Sequence, residues 1–154
     1  MATRAEPRFE TRDDFTVVGL SMRATPEANF SAHWTNFDAR QETFAELTDT
    51  NEAFGVEYDF DPASDSFTYL AGVEPARDAP LPSDAEQVDV PGGRYAVFTT
   101  TLEDLDDVMD YVYTEWFPNT EFERGEGPEF EYYGPDFDPS DPEATFDVYV
   151  PVAN

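Results

Sequence analysis

A chain of 154 residues is long enough for one domain with a full core and too short for two comfortable ones. A hydrophobic fraction of 40% and an aromatic fraction of 16% exclude a disordered chain, and the absence of Cys excludes disulfides and thiolate metal sites. Against 35 acidic residues stand eight basic ones, all Arg; at a net charge of -27 no basic patch is available for phosphate contact, so direct nucleic-acid binding is disfavoured.

Residues 1–14 carry three Arg and little apolar character, which predicts a flexible N-terminal arm. Phe15 to Met22 is β-branched and apolar and reads as a strand. Thr25-Pro26-Glu27 has the form of a helix start, and Phe30, Trp34 and Phe37 follow at spacings of four and three, the apolar stripe of an amphipathic helix. Phe44 and Leu47 extend that helix or form a second short one. Gly55 to Phe60 and Ser66 to Val73 then predict a hairpin around Asp61-Pro62. Pro75 to Asp89, rich in Pro, Ala and acid, reads as a linker.

After the linker the same order begins again. Arg94 to Thr101 is a strand, and Thr101 with Asp104 resembles a capping box. Leu105, Val108, Met109, Val112, Tyr113 and Trp116 form a second helical stripe that Pro118 is expected to stop. Strands around Phe130 and Val148 close the chain. Subtraction supports a repeat: Phe15 and Tyr95, Val17 and Val97, Phe37 and Phe117, and Tyr69 and Tyr149 each lie 80 positions apart, while Asp59-Phe60-Asp61-Pro62 recurs 77 positions later at Asp136-Phe137-Asp138-Pro139. The expected fold is therefore α+β: two βαββ halves, 15–74 and 90–152, forming one antiparallel sheet with two helices in a single domain over 15–154. A duplication of this kind places a pseudo-twofold axis between the halves, with a ligand cleft on the axis.

The most informative side chain is Glu131, set in Glu129-Phe130-Glu131-Tyr132-Tyr133. Alternate residues of a strand share a face, so Glu131 and Tyr133 point one way and Phe130 and Tyr132 the other. A carboxylate among rings suits an amphipathic, often cationic, small molecule, because ring faces stack on it and the charge orients it. The alternative is an edge strand with Glu131 in solvent. His33, the lone histidine, lacks the partners of a catalytic triad and reads as a partly exposed helix residue. Asp136, Asp138, Ser140 and Asp141 have some flavour of a calcium loop, but the required Gly is missing and prolines intervene, so a solvated acidic loop is expected and no metal or other cofactor.

An ordered set of short motifs resembles the GyrI-like (AraC effector-binding, SHS2-duplicated) small-molecule-binding family. These are Trp34-x-x-Phe37, Phe67-x-Tyr69-x-Ala71-Gly72-Val73, Val90-Pro91-x-x-x-Tyr95-Ala96-Val97-Phe98, Tyr113-x-x-x-Trp116-x-Pro118, Phe130-Glu131-x-Tyr133 and Asp147-x-Tyr149-x-Pro151-Val152. The resemblance spans nearly the whole chain from residue 15 and implies a freestanding binding or sensing domain whose buried acid is Glu131. With Glu131 in the cleft, Tyr133 on the same strand face, Tyr69 and Tyr149 at symmetry-matched positions, and Tyr95 and Trp116 are candidate cleft walls, and Trp34 a further one. Tyr95 could equally pack across the axis from Phe15, core packing explains Trp116 as readily as ligand contact, and Trp34 more readily. Other relatives imply two alternatives: a hydrolase of strained cyclopropanoid compounds using Glu131, with Tyr133 beside it, and a gyrase-inhibitor-like protein-binding module.

The acids are dispersed rather than blocked and Lys is absent, the surface expected of a halophile's cytoplasmic protein. Molar salt shortens the screening length to roughly 3 Å and removes the self-repulsion that would loosen such a fold in dilute buffer. No apolar run approaches the ~20 residues of a membrane span, and no signal-peptide core is evident, so a small-molecule partner, no membrane, and a monomer or weak dimer are expected.

Overall fold

The computed structural model describes residues 6–25, 27–48, 52–76, 81–138 and 140–153. Nine strands and a few helical segments alternate along the chain: β1 (Arg8–Arg12), β2 (Phe15–Ala24), α1 (Phe30–Asp38), α2 (Gln41–Ala45), β3 (Ala53–Asp61), β4 (Ser66–Val73), β5 (Glu86–Val90) and β6 (Gly93–Thr101). A helical rod follows, made of α3 (Leu105–Tyr111), a π-helical turn (Val112–Trp116) and α4 (Phe117–Asn119); β7 (Glu123–Arg124), β8 (Glu129–Tyr133) and β9 (Thr145–Ala153) complete the fold. Every strand pairing is antiparallel. The sheet runs β1-β6-β9-β8-β3-β4-β2-β5, with β7 added to β9.

Three expectations are corrected here. Arg8–Arg12, placed in a flexible arm, forms an edge strand on β6 in which Glu10 pairs with Tyr95; residues 1–5 lie outside the described residues. The end of the linker from Glu86 to Asp89, together with Val90, is likewise an edge strand, paired on β2 with Val90 opposite Phe15. Both segments are short and polar, so only the ladder offered by a neighbouring strand makes them β. The second expected helix is interrupted, changing pitch at Val112, while of the two alternatives for Phe44 the second short helix forms, α2, separated from α1 by Ala39–Arg40.

Helix starts shift for identifiable reasons. Thr25 accepts from the backbone N–H of Ala28 in a turn, and α1 begins four residues later, where the Asn29 side chain caps Ala32 N–H at 2.9 Å; Pro26 lies outside the described residues. Thr101 Oγ1 does receive the Asp104 N–H, at 3.2 Å. The rod ends at Asn119, one residue past Pro118, whose ring offers no N–H to continue the helical ladder. The predicted hairpin forms, its turn held by Asp61, which accepts from Ala63 N–H and Ser64 Oγ at 3.0 Å each.

The sheet separates two cores. On one face Phe15, Val17, Phe54, Val56, Leu70, Tyr95, Val97, Phe130 and Tyr149 are buried together, and every member of this cluster comes from a strand. Phe15 on β2 and Phe130 on β8 stand three strand steps apart, about 14 Å in a flat sheet. Their rings meet at 5.2 Å, so the sheet curls and fills its hollow with its own aromatics. On the other face α1 and α2 cover β2 and β4, while the second rod covers β6 and β9, giving two separate clusters. The central pair β3 and β8 runs between them as a seam. Trp34 packs against both clusters and bridges it.

Candidate functional site

Along the seam, β3 and β8 pair Gly55 with Glu131 and Glu57 with Glu129, all four on the helix-bearing face. Glu131 and Glu129 are each 9% exposed. Glu131 is therefore a buried interior-strand carboxylate, and the solvent-edge alternative is removed. Its Oε1 accepts hydrogen bonds from the Tyr69 and Tyr133 hydroxyls, both at 2.8 Å, and Trp34 Nε1–H donates to the Tyr69 hydroxyl at 2.8 Å. Trp34 stands edge-on to Tyr133, ring centroids 5.4 Å apart, so indole and phenols close over the acid.

This arrangement depends on a residue the sequence reading passed over. A Cβ on Gly55 would lie 2.2 Å from the Tyr69 hydroxyl and 2.7 Å from Glu131 Oε1, so only glycine leaves room for that hydrogen bond. Its cue was a glycine inside a strand, which marks a close approach.

Burial, the largest cause, raises the Glu131 pKa above the ordinary carboxylate range, and the two phenol hydrogen bonds act the other way. Tyr69 and Tyr133 are held well above the usual phenol range, first by burial and then by the charge of Glu131. Both phenols thus remain donors, able to orient the carboxylate without neutralising it. Glu57 is half-buried and its carboxyl is also pushed well above its usual range, by burial first and then by Glu131 and Glu129. Glu129 meets a basic side chain: Arg124 Nη2 lies 3.4 Å away, and Tyr113 donates to the same carboxylate while accepting from Arg124 Nε at 3.0 Å. Glu57, Gly55, Tyr113, Arg124 and Glu129 were missed as site residues because nothing local tells which acid on a strand is covered.

Of the candidate walls, the fold gathers Tyr69, Tyr133 and Trp34 around Glu131 and leaves out three. Tyr95 donates to the Pro91 carbonyl at 2.8 Å and packs on Phe130 on the opposite face. Tyr149 stacks on Phe130 at 4.5 Å, also on the opposite face, and its hydroxyl donates to Glu10. Tyr69 and Tyr149, matched by the 80-residue subtraction, therefore lie on opposite faces of the sheet. Because side chains alternate with period two, equal spacing along the chain does not by itself fix a shared face. Trp116 packs among Phe9, Phe98, Phe117 and Phe122, none of them in the Glu131 network, and lines a separate hollow of about 310 Å³ with Glu115 and Tyr111.

His33 is buried, contrary to expectation, with Nε2 2.7 Å from the Leu20 carbonyl. In the acidic loop, Asp138 accepts from Ser140 and Asp141 from Glu143 N–H, as in turns; Pro139 lies outside the described residues. Among the described residues no group of three or more His, Cys, Asp or Glu could hold a metal ion, and no helix is long and apolar enough to cross a membrane.

Comparison with known proteins gives these features a context. The model of the GyrI-like small molecule binding domain matches residues 5–153. Transcriptional regulator BrlR of Pseudomonas aeruginosa is 28% identical over 149 residues, covering 94% of this chain and 54% of that protein, so the chain spans about half the length of this relative. Among solved structures, SAV2435 bound to tetraphenylphosphonium superposes with a TM-score of 0.72 at 17% identity, covering 97% of this chain and 95% of that one. An integron cassette protein of Vibrio cholerae gives 0.67 at 19% identity, covering 97% of each chain. The chain belongs to the GyrI-like small-molecule-binding domain family.

Proposed function

We propose, from that membership, that this GyrI-like domain binds an amphipathic organic cation at the seam, with Glu131 as the charge partner and Tyr69, Tyr133 and Trp34 as walls. One observation carries the reading: a buried carboxylate is held by two neutral phenols rather than by an internal cation. Among the described residues both hydrogen bonds go to Oε1, and Oε2 takes none. Leaving such a charge without a counter-ion is costly, and a cation that stacks on the rings and meets Oε2 offsets that cost. Tetraphenylphosphonium, the compound held by SAV2435, belongs to this chemical class.

The seam as a cleft on a pseudo-twofold axis is part of the same proposal. Its support is the strand path, in which β6-β9-β8 on one side answers β2-β4-β3 on the other and each half receives an edge strand from the segment preceding the other half. The regulator BrlR suggests that ligand capture here serves sensing. A second reading, hydrolysis of a strained electrophile, is favoured by the raised Glu131 pKa, the property a general base needs. Turnover of a cyclopropanoid substrate that disappears in Glu131→Gln would select it.

The test is titration with tetraphenylphosphonium, followed by Trp fluorescence. Glu131→Gln is expected to weaken binding by about 10-fold or more, the loss of an interaction with a buried charge. Tyr149→Phe, altered on the opposite face, is expected to bind as wild type. Equal affinity of wild type and Glu131→Gln would remove Glu131 as the anchor.

A further inference from the structure

Three carboxylates share the seam, and the fold treats each differently. Glu129 has Arg124 and Tyr113. Glu131 has two phenols. Glu57 has neither a hydrogen-bond donor nor an ion-pair partner among the described residues, although β3 places it directly opposite Glu129 on β8 and opposite Tyr69 on β4. Like charges directly opposite on neighbouring strands repel, and the diagonal neighbour here, Glu131, is a third acid. Three carboxylates and one guanidinium leave the seam a formal charge of two negatives once all are ionised. A single cation seated on Glu131 neutralises half of it.

Resting on the reading that the seam is the ligand site, we propose that Glu57 is a second anionic contact, which makes the site select ligands with two cationic centres over ligands with one. Glu57 lies two positions along β3 from Gly55, the partner of Glu131, so both carboxylates border one stretch of seam between the helical covers. The groups facing Glu57 are Glu129 and Glu131 from β8, Tyr69 from β4, Tyr133 at the end of β8 and Arg124 from β7; Tyr113 of the π-helical turn sits on Glu129, and His33 of α1 sits behind Tyr69, ring centroids 6.1 Å apart. Of these only Arg124 is cationic, and its guanidinium is committed to Glu129, Tyr113 and the Gly125 and Gly127 carbonyls.

The burial that pushes up the Glu57 carboxyl adds a signature. In the free protein Glu57 tends to hold its proton, so a monocation meets Glu131 alone, whereas a dication draws Glu57 into its ionised form and releases that proton to solvent. Dication affinity therefore rises with pH until Glu57 is ionised in the free protein. Monocation affinity lacks this component.

The experiment compares tetraphenylphosphonium with butane-1,4-bis(triphenylphosphonium) by titration calorimetry on the whole chain. Each titration is run in two buffers of different ionisation heat, so that proton release is counted without any variant. The expected result is tighter binding of the bis-cation by about 10-fold, a proton released on its binding and an affinity that rises with pH. Glu57→Gln is expected to abolish both the preference and the proton release. Equal pH profiles for the two cations, with no bis-cation preference and with tetraphenylphosphonium binding still dependent on Glu131, would overturn the role of Glu57 alone. Failure of both cations to bind, or Glu131→Gln binding tetraphenylphosphonium as wild type does, would overturn the seam reading and this inference with it.

Discussion

On one face of β3 and β8 lie Phe54, Val56, Phe130 and Tyr132; on the other lie Gly55, Glu57, Glu129 and Glu131. Both faces are sheltered from water, but by different means. The curl of the sheet closes the first around its own rings, and Arg12 lies among them, its guanidinium 4.7 Å from the centroid of Phe15 and 5.2 Å from that of Tyr149. The second is roofed by helices on either side and by Trp34 across the middle, and it concentrates acid. The contrast separates two uses of aromatic residues in one sheet. Where rings pack on rings they hold the fold together, and where they surround an acid short of counter-ions they form the candidate site.

The comparison can be broken most severely on its apolar side. Phe130→Ala removes a fully buried ring that touches Phe15, Phe54, Tyr95 and Tyr149, and it is expected to cost about 3–5 kcal/mol of stability in denaturant unfolding. Ligand affinity of the folded fraction should stay near wild type. A Phe130→Ala protein with unchanged stability would show that this face is not the structural one.

Gly55→Ala attacks the other side with one methyl group. Its Cβ would displace the Tyr69 hydroxyl from Glu131, so a stability loss of roughly 1–3 kcal/mol is expected from the hydrogen bond and the buried group left unpaired. Tetraphenylphosphonium binding should weaken as well. Retention of wild-type affinity would mean that the phenol does not orient the acid for the ligand.

The smallest effect concerns pH. The pKa of Glu57 in the fold lies above its unfolded value, so its contribution to stability is fully present below the ordinary carboxylate pKa and is lost as pH rises through the folded value. Glu57→Gln, which cannot ionise, should therefore gain over wild type as pH rises from 5 to 8, by roughly 0.5–1 kcal/mol or about 2–4 °C in Tm. Thermal melts of both proteins across that range provide the measurement. A difference that shrinks with rising pH would reverse the sign and place Glu57 in an ion pair.

Much of the fold was legible because strand and helix periodicities are local. The run Phe130 to Tyr133 could only alternate, so the pairing of Glu131 with Tyr133 on one face and Phe130 with Tyr132 on the other followed from the spacing alone. The hairpin around Asp61-Pro62 and the apolar stripe of Trp34 and Phe37 were equally readable. Edge strands β1 and β5 were not, since their segments are polar and become strands only by borrowing a ladder from β6 and β2.

The candidate site divides along the same line. Which residues share a face with Glu131 on its own strand is fixed by backbone geometry, and the sequence by itself determined it. Which residues of distant strands reach that face depends on register, and register is set by pairing and bulges, such as the shift between Tyr58 and Asp61, that leave little local trace. Only the tertiary structure could therefore seat Tyr69 beside Glu131, turn Tyr149 away, and line up Glu57, Glu129 and Gly55 along one seam, because burial and electrostatic partnership arise between strands rather than within them.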